Sequence, residues 1–463
     1  MALANLREKR MITNLFEYNN KTPVTDSMEG LEEFLDSLWN KREKYSHFNG
    51  KETDKIESQR FLQFLHKTGE LKSNKYVGVI HYNGNRINLL PKIFFDPQKE
   101  YTDNDICHMQ NHLLWWLSYC RKIRFPNYQT SLGSMQSDFF EVLIYLFSKY
   151  TRELLGSSVY KQYQEVSNEL SYIKGRLDVN TYLNDHVSCG RWHKLSCTYD
   201  DFLTDNKFNR IIKFVANRLF EVTRVVDNKK YLREILFMLD DVSDERATAE
   251  QCVGIIFNPM FGAFETVRDY CRLFLSHSIS FDYKSDLKLF AFLLPMEYLF
   301  EDFIFGFIDK ELRDVRAKAQ RSEKYLDEGR TFNLRPDLWI RTAEKEFVAD
   351  TKYKIVYSDE RDPKKGISQN DLYQMLAYAV RFKVNDIILF YPNTLGKEQE
   401  VESEIIIKDA LADDQQITIR AHQVPIINRA LFVSDAMSEQ HLSKMFLSTE
   451  NELKTRLREI LVV

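Results

Sequence analysis

Apolar and polar positions follow different periods along the chain, and the changes of period divide it into regions of different predicted structure. Residues 1–70 are polar and lean towards helix. Two apolar runs then follow, joined by Asn83-Gly84, which is the strongest short signal for a β-hairpin because both positions tolerate positive φ. The pattern therefore predicts a hairpin near 75–93, within an N-terminal domain over 1–115.

The middle of the chain, residues 116–285, contains several segments with apolar side chains at helical spacing. Among them lies the basic turn Lys174-Gly-Arg176. A turn of this kind suits contact with a phosphate or with a nucleotide-binding partner, although turn residues that only solvate a loop fit the pattern equally well. We predict a mostly helical connecting domain, with Lys174 and Arg176 as candidate partner-binding residues.

From residue 286 onward one order of elements emerges. A helix over 296–308 precedes three strand candidates, and a second helix over 371–380 precedes a fully apolar strand at 386–391. The order helix, strand, strand, strand, helix, strand predicts a sheet flanked by helices. The expected fold class is therefore α+β multidomain, with a C-terminal α/β domain over 286–463.

The second and third of these strands contain the strongest candidate chemistry. Asp337 opens one strand, whereas Asp350 and Lys352 close the next. Because the start of one hairpin strand lies beside the end of the other, the two carboxylates are expected to converge, with Lys352 on the same face as Asp350. Carboxylate oxygens are among the ligands that Mg²⁺ prefers. A surface hairpin with solvated charges is the alternative, and it is favoured until the surrounding element order is considered.

Net charge and the spacing of the cysteines exclude some classes of protein and some kinds of site. A formal net charge of −4 excludes a polybasic DNA coat, so any DNA contact needs a local positive surface or a partner. The six cysteines have no framework spacing and are expected to be reduced. The cluster of His186, Cys189, His193 and Cys197 matches no common zinc motif, and ordinary structural residues are the favoured interpretation.

Neither a secretory signal nor an apolar run of membrane-spanning length is seen in the sequence. We therefore expect a cytoplasmic protein without a membrane partner.

Several separated segments, in a shared order, resemble McrC, the nuclease subunit of the McrBC modification-dependent (type IV) restriction systems. The Pro-Asp … Asp-x-Lys pattern is also that of the PD-(D/E)XK nucleases. The matching segments are Tyr76-Val-Gly-Val-Ile80, Leu90-Pro-Lys-Ile93, Ser167-Asn168, Lys174-Gly-Arg-Leu177, Thr204-Asp-Asn206, Asn209-Arg210, Leu299-Phe-Glu301, Arg335-Pro-Asp337, Asp350-Thr-Lys-Tyr353 and Asp371-x-Tyr-Gln374.

The resemblance implies a partner. McrC-like proteins assemble with McrB, a hexameric AAA+ GTPase that binds GTP and reads the modified cytosine. Their N-terminal portion enters the pore of the ring and stimulates GTP hydrolysis, and their C-terminal domain cuts DNA. Asn83 and Gly84, at the tip of the predicted hairpin, thereby become candidate partner-binding residues. No organic cofactor is implied for the chain itself.

The resemblance also implies roles at the site. Asp337, Asp350 and the backbone carbonyl of Thr351 are expected to bind Mg²⁺, with Mn²⁺ as a substitute. Lys352 is expected to orient the attacking water or to stabilise developing negative charge. Lys354 lies two residues further along the strand on the same face. It is a candidate substitute for Lys352 or a candidate phosphate contact.

Three further residues complete the expected catalytic set. Glu301 is preferred over Glu297 as the additional acid and metal ligand, because its neighbours fit the family's phrase. Gln374 and Tyr378 lie one helical turn apart and share a face. They resemble the Gln-x-x-x-Tyr motif that borders related active sites, although Tyr378 as a packing residue is the stronger alternative.

These observations predict a Mg²⁺-dependent endodeoxyribonuclease subunit that cuts modified, methylcytosine-containing double-stranded DNA under a nucleotide-driven partner. One alternative is a non-cutting activator and assembly subunit of the GTPase ring. The other is a stand-alone RecB-like or Cas4-like nuclease. An iron–sulfur Cas4 needs cysteines that bracket the nuclease core, and none of the six cysteines lies beyond residue 271.

Overall fold

The computed structural model describes residues 12–24, 31–32, 62–65, 67–82, 85–121, 139–279, 289–319, 324–355, 364, 367–396, 402–409, 415–433 and 442–461. The chain folds into two compact units, one formed by Met1–Val142 with His277–Val463 and the other by Leu143–Ser276. The predicted boundaries at 115/116 and 285/286 differ from this division, because the strand Leu289–Pro295 pairs with the strand Tyr76–Tyr82 in one sheet.

The elements follow one another in three stretches. The first contains β1 (Ile12–Phe16), β2 (Lys21–Pro23), β3 (Leu62–Leu65), β4 (Glu70–Ser73), β5 (Tyr76–Tyr82), β6 (Asn85–Leu90), α1 (Asp103–Tyr119) and α2 (Phe139–Ser157). The second contains β7 (Gln162–Leu170), β8 (Arg176–Leu177), α3 (Val179–Thr181), a π-helical turn (Tyr182–Val187), β9 (Leu195–Leu203), α4 (Lys207–Val222), α5 (Val226–Met238), α6 (Ala249–Val253) and α7 (Phe264–His277). The third contains β10 (Ser278–Ile279), β11 (Leu289–Pro295), α8 (Met296–Glu311), β12 (Arg316–Ala319), β13 (Lys324–Tyr325), β14 (Asn333–Leu334), β15 (Leu338–Arg341), β16 (Glu346–Thr351), α9 (Gln369–Phe382), β17 (Asp386–Pro392), β18 (Glu402–Asp409), β19 (Gln415–Val424), α10 (Leu442–Met445) and α11 (Leu447–Leu461).

The predicted hairpin forms the middle of a five-stranded sheet with the order β1-β6-β5-β11-β10. β5 and β6 pair antiparallel up to Tyr82 and Asn85, which confirms the two strands. The turn residues Asn83 and Gly84 lie outside the described residues. The expectation of helix over 1–70 is wrong for β1, whose residues Leu15 and Phe16 are buried beside β6, so tertiary pairing overrides the local polar character.

Helix α8 is held against α1 by aromatic packing and by one glycine. The ring of Trp115 lies 5.3 Å from that of Phe303, and Tyr119 lies 4.9 Å from Phe307, between ring centroids. A β-carbon at Gly306 would lie 1.9 Å from the carbonyl oxygen of Tyr119, so only glycine allows this close approach. The packing fixes the helix that carries Glu301.

The C-terminal sheet has six strands in the order β12-β15-β16-β17-β19-β18. β16, β17 and β19 run parallel, and the other neighbours are antiparallel. Helix α9 packs on this sheet, where Met375 and Tyr378 share a hydrophobic core with Ile387 and Ile419. The predicted order of elements over 296–392 is confirmed, with the short β13–β14 pair added between the first two strands.

The tail after residue 395, which carries no assigned motif, completes this part of the fold. It supplies β18, β19 and α11. The indole N–H of Trp115 donates to Glu450 on α11 at 2.9 Å, and that of Trp116 donates to the carbonyl of Ile426 at 3.1 Å. Within the described part of the chain, every helix is too short or too polar to cross a bilayer.

The second unit is less purely helical than predicted. β7 and β9 form a two-stranded ribbon nine residues long, with β8 on the free edge of β9. Most side chains of β7 are exposed on both faces. The prediction of a mostly helical segment missed this ribbon because a strand that is exposed on both faces shows no hydrophobic alternation.

A network of buried amides fixes the point where β9 leads into α4. The side chain of Asn206 caps α4 by accepting from the N–H of Asn209 at 3.1 Å, and both amides donate to the carbonyl of Tyr160. Arg210 donates to Asp205 at 2.6 Å, which lowers the pKa of this aspartate to about 2. The segments Thr204-Asp-Asn206 and Asn209-Arg210 therefore stabilise the base of the ribbon.

Candidate active site

The two predicted carboxylates lie side by side at one end of the C-terminal sheet. Leu338 pairs with Ala349, and continuing this antiparallel register places Asp337 opposite Asp350. Asp337 precedes β15, whereas Asp350 is the second-last residue of β16 and is almost fully buried. Asp337 accepts hydrogen bonds from the backbone N–H and the hydroxyl of Thr351, at 2.8 and 2.9 Å. The hairpin thus brings the acids together.

The proximity of like charges is visible in the pKa of Asp337. Burial raises this pKa well above its usual range, and the charges of Asp350 and Glu301 raise it further. The bond from Thr351 and the charge of Lys352 act in the opposite direction without cancelling the effect. The charges of Asp350 and Glu301 therefore favour the addition of positive charge near Asp337.

The side chain of Lys352 lies beside the paired aspartates and contacts two acceptor oxygens. Its ammonium lies 2.5 Å from Oδ2 of Asp350 and 3.1 Å from the side-chain oxygen of Gln374. The ammonium donates a hydrogen bond to Gln374 and forms an ion pair with Asp350. Burial lowers the pKa of Lys352, but the charge and hydrogen bond of Asp350 outweigh burial, and the net pKa is raised. Lys352 therefore carries its charge at neutral pH.

Helix α9 fixes the orientation of this lysine through a short hydrogen-bonded chain. The amide nitrogen of Gln374 donates to the hydroxyl of Tyr378 at 2.8 Å, and that hydroxyl donates to the carbonyl of Arg335 at 3.2 Å. The chain leaves the Gln374 oxygen directed at Lys352. Tyr378 is thus both a core residue and the anchor of Gln374.

The two acids of α8 approach different neighbours. Glu301 raises the pKa of Asp337, whereas Glu297, one turn earlier, raises the pKa of Glu17 in the N-terminal part of the unit. Of the two competitors, Glu301 is therefore the one whose charge reaches the paired aspartates. Its assignment as a metal ligand stays a prediction.

Lys354 has a different environment from Lys352. Its ammonium lies 2.7 Å from Asp371 and 3.5 Å from the hydroxyl of Ser368. Ser368 also caps α9 by accepting from the N–H of Asp371 at 3.2 Å. In this structure Lys354 ties the exit of β16 to the start of α9.

The donor set fits a magnesium ion. Among the described residues, no three His, Cys, Asp or Glu side chains are gathered closely enough to hold a metal by themselves. Mg²⁺ does not need such a cage, since it is usually held by one or two carboxylates with water and substrate phosphate in the remaining positions. Asp337 and Asp350 supply two carboxylates, and their mutual repulsion is the electrostatic condition that a divalent cation relieves.

The predicted basic turn lies on the ribbon of the second unit. The ammonium of Lys174 stacks 3.8 Å from the ring centroid of Tyr199, and Arg176 is highly exposed, with Glu165 at 3.6 Å. Gly175 has φ +72°, and a β-carbon there would lie 2.4 Å from the carbonyl oxygen of Thr198. Glycine is therefore required where the turn presses against β9.

Large apolar side chains are also exposed on and beside this ribbon. They are Tyr163, Tyr172, Ile173, Val179, Leu183, Trp192 and Phe202. A set of this size marks a surface suited to contact with another macromolecule. The sequence does not predict this exposed apolar surface, because each of its residues is of a type that is ordinarily buried in a core.

The cysteine–histidine cluster in the same unit is divided among separate contacts. His186 is buried and lies 2.9 Å from the hydroxyl of Ser196. Cys197 is buried, whereas Cys189 is exposed.

Three residues near the site received no role from the sequence. Glu17, Lys92 and Tyr353 form a buried polar cluster directly behind the end of β16. Lys92 and Tyr353 belong to the segments that carry the McrC resemblance, which was the available signal. Glu17 had none, because its partner Tyr353 lies 336 residues away in sequence.

Comparison with known proteins places this geometry in a family. A family model described as a McrBC 5-methylcytosine restriction system component matches residues 71–392. The chain belongs to the McrBC family. The predicted resemblance is thereby confirmed, and the matched range includes both the N-terminal hairpin and the acids at the end of β16.

Relatives and solved structures agree with this assignment. The type IV methyl-directed restriction enzyme EcoKMcrBC of Escherichia coli strain K12 is 24% identical over 274 residues, which cover 56% of this chain and 76% of that protein. A chain of the refined half-complex from a tetradecameric assembly of Thermococcus gammatolerans McrB AAA+ hexamers with bound McrC aligns with a TM-score of 0.67 and 16% identity, over 97% of this chain and 100% of that one. The cryo-EM structure of the Thermococcus gammatolerans McrBC complex aligns with a TM-score of 0.50 and 19% identity, over 66% and 89%. This chain shares the fold of the two Thermococcus gammatolerans structures.

Proposed function

We propose that the chain is the Mg²⁺-dependent DNA endonuclease subunit of a McrBC-like restriction complex, and that it cuts modified, methylcytosine-containing DNA. The observation that carries this proposal is the convergence of Asp337, Asp350 and Lys352 at adjacent strand ends, with Gln374 directed at the lysine. The order of elements around them matches that expected for a PD-(D/E)XK core. Membership of a restriction family supports the same chemistry.

The proposed mechanism divides the work of phosphodiester hydrolysis among these residues. Asp337 and Asp350 would hold Mg²⁺, with the Thr351 carbonyl and Glu301 as further candidates. When bound, the ion supplies charge neutralisation at the phosphate and lowers the pKa of a bound water. Lys352 donates hydrogen bonds to the attacking water or to the phosphate oxygen on which negative charge develops. Its ion pair with Asp350 favours the charged form, which suits Lys352 to the stabilisation of anions.

The immediate surroundings of the three residues fit such a role. Gln374 is exposed whereas Asp350 is buried, so the site lies at the surface with its acids recessed. Recessed carboxylates are partly screened from water, which strengthens their interaction with a cation. Gln374 and Tyr378 keep Lys352 positioned before substrate arrives.

The proposed partner is a McrB-like AAA+ GTPase hexamer. A solved structure of similar fold is described as McrB hexamers with bound McrC. The exposed ribbon with Lys174, Arg176 and Trp192 is the surface that we assign to this contact. The slight negative net charge of the chain agrees with a division in which the partner supplies DNA affinity. Asn83 and Gly84 remain predicted contact residues.

Cleavage of defined DNA by the reconstituted complex tests the proposal. Duplexes with and without methylcytosine are incubated with this chain, the partner GTPase, GTP and Mg²⁺. We expect cleavage of the methylated duplex only, and only when nucleotide and partner are both present. Cutting by this chain alone would instead indicate a stand-alone nuclease. Stimulated GTP turnover without any cutting would indicate the non-cutting activator, which the exposed ribbon also supports.

The surface assigned to the partner has its own test. Arg176→Glu reverses an exposed charge and should weaken partner binding at least tenfold while leaving the folded chain as stable as before. Lys408→Glu on the exposed face of β18 is the matched control. Equal partner binding by the two variants would remove the ribbon from the interface.

A further inference from the structure

A buried polar cluster lies on the opposite face of the strand end that carries Lys352. Lys352 contacts Asp350 and Gln374, whereas the side chain of the adjacent Tyr353 is buried in the protein interior. Tyr353 is 3% exposed. Its hydroxyl donates to Oε2 of Glu17 at 3.0 Å. Glu17 directly follows β1, so the contact joins the N-terminal sheet to the proposed catalytic strand.

Glu17 is itself fixed from the N-terminal side. The same oxygen, Oε2, accepts from the backbone N–H of Lys92 at 3.1 Å, and the backbone N–H of Glu17 donates to the carbonyl of Leu90 at 3.0 Å. The ammonium of Lys92 stacks 4.5 Å from the ring centroid of Tyr353. Tyr353 is therefore held at both its hydroxyl and its ring by residues of the N-terminal sheet.

The other side of Tyr353 contacts the helix that carries the additional acid. Its ring centroid lies 6.0 Å from that of Phe300, which directly precedes Glu301 on α8. The backbone N–H of Lys352 donates to the carbonyl of Phe390 on β17 at 2.8 Å. The segment with Lys352 is thus clamped between β17 on one edge and the Glu17–Tyr353 contact behind it.

Only one of the two carboxylate oxygens of Glu17 is used. Oε2 accepts from Tyr353 and from the N–H of Lys92, whereas Oε1 is buried and has no hydrogen-bond partner among the described residues. An unpaired buried polar atom is destabilising. An energetically unfavourable group that a protein keeps in its interior often has a functional role.

We propose that Glu17 is a positioning residue for the catalytic lysine, acting through the hydroxyl of Tyr353. The Glu17–Tyr353 hydrogen bond fixes the backbone at residue 353, and this sets the direction in which Lys352 leaves the strand. The inference rests on the proposed nuclease function. It adds that the N-terminal sheet, which is remote in sequence, takes part in forming the cutting site.

Single-turnover cleavage by the reconstituted complex, with partner and nucleotide saturating, tests this role. Tyr353→Phe removes only the hydroxyl, and Glu17→Leu removes only the acceptor. Each should slow cleavage about 10- to 100-fold, as expected for a misplaced catalytic group. The double variant should be no slower than the slower single variant, because both changes break one link. Glu17→Gln keeps an acceptor oxygen and should restore cleavage to within about threefold of the wild type.

A matched control separates positioning from a general loss of packing. Tyr101→Phe also removes a hydrogen-bonded tyrosine hydroxyl near β1, one that donates to the carbonyl of Phe94 at 2.7 Å. It should leave the cleavage rate within about twofold, and GTPase stimulation should be unchanged in all variants. Equal cleavage rates for Tyr353→Phe and Tyr101→Phe would overturn the inference. So would additive losses in the double variant, or parallel losses of cleavage and GTPase stimulation.

Asp350→Ala in the same assay separates the two levels of the proposal. If the wild type cuts, Asp350→Ala does not, and Tyr353→Phe cuts normally, only the positioning role of Glu17 is wrong. If Asp350→Ala cuts like the wild type, the nuclease site itself is wrongly assigned.

Discussion

The side-chain oxygen of Gln374 accepts a hydrogen bond from the ammonium of Lys352 at 3.1 Å. Gln374 is anchored in turn by Tyr378, so a helix that lies after the catalytic strand in sequence determines where the lysine points. The ammonium is shared between Gln374 and Asp350, and this sharing links the proposed charge stabiliser to a proposed metal ligand.

Removal of this amide should slow the chemical step. In Gln374→Ala, Lys352 loses one of its two acceptors and keeps only its ion pair with Asp350, so its ammonium is less well oriented. We expect single-turnover cleavage to fall about 10- to 100-fold, with DNA binding by the complex unchanged. Gln369→Ala, in the exposed first turn of the same helix, is the control and should cut normally. Equal rates for the two variants would leave Gln374 without a role.

Magnesium should stabilise the isolated chain through the paired aspartates. Asp337 has a raised pKa because of burial and of its acidic neighbours, so its ionised form destabilises the folded state at neutral pH. Bound Mg²⁺ should add about 1 to 3 kcal/mol to the free energy of unfolding at saturating concentrations. Asp337→Asn should be more stable than the wild type without Mg²⁺ and insensitive to it.

Thermal unfolding with and without Mg²⁺ measures this difference. Asp386→Asn is the control, since Asp386 begins β17 and pairs with Arg420 rather than with the site. It should keep the full response to Mg²⁺. An unaltered Mg²⁺ response in Asp337→Asn would contradict the assignment of Asp337 as a ligand.

Glu17 should make stability depend on pH between about pH 4.5 and pH 7. Burial raises its pKa to about 7, the charge of Lys92 and the bonds from Lys92 and Tyr353 oppose this, and Glu297 adds to it. The neighbouring Tyr18 is uncharged in this range, since a phenol titrates near pH 10 and burial raises the pKa of Tyr18 further. The folded state therefore binds the proton more tightly than the unfolded state, and stability is lost as pH rises through about 7.

The pH effect is read as a difference between two proteins. From pH 4.5 to pH 8 the wild type should lose about 3 kcal/mol relative to Glu17→Gln, following the shift of the Glu17 pKa from 4.5 to about 7. Urea unfolding at both pH values, read on a probe in the first unit, measures this quantity. Parallel pH profiles for the two proteins would show that Glu17 titrates normally.

The close approach of α1 and α8 gives a prediction about stability. In Gly306→Ala the added β-carbon meets the carbonyl of Tyr119, so the helices must separate and the position of Glu301 must change. We expect a loss of about 1 to 3 kcal/mol together with slower cleavage. Gly156→Ala, near the end of α2, has open space around the new atom and should be neutral or slightly stabilising. Equal melting temperatures would contradict the packing described for Gly306.

The sequence predicted the C-terminal part of the fold well because local patterns and tertiary contacts agree there. The run 387–391 is apolar throughout, as an interior parallel strand requires, and it lies within β17. Ser368, three residues before Asp371, has the spacing of a helix cap, and it caps α9. The convergence of Asp337 with Asp350 followed from hairpin geometry alone, since a short antiparallel pair fixes its own register.

Other features depend on contacts that no local pattern contains. β1 is short and partly polar, and it becomes a strand by pairing with β6 about 70 residues later. Most residues of β7 are exposed, and its apolar and polar residues do not alternate, so no local pattern marks this strand. Glu17 is an unremarkable acid in the sequence, and only the folded chain places it against Tyr353.

The most direct measurement of the central claim separates cutting from activation. The wild type and Asp350→Ala are each combined with the partner GTPase, and GTP turnover and cleavage of methylated DNA are measured in the same reactions. Loss of cleavage in Asp350→Ala, with GTP turnover still stimulated, is the predicted result, because Asp350 lies at the cutting site and the ribbon is unchanged. Cleavage of methylated DNA by Asp350→Ala at the wild-type rate would contradict it.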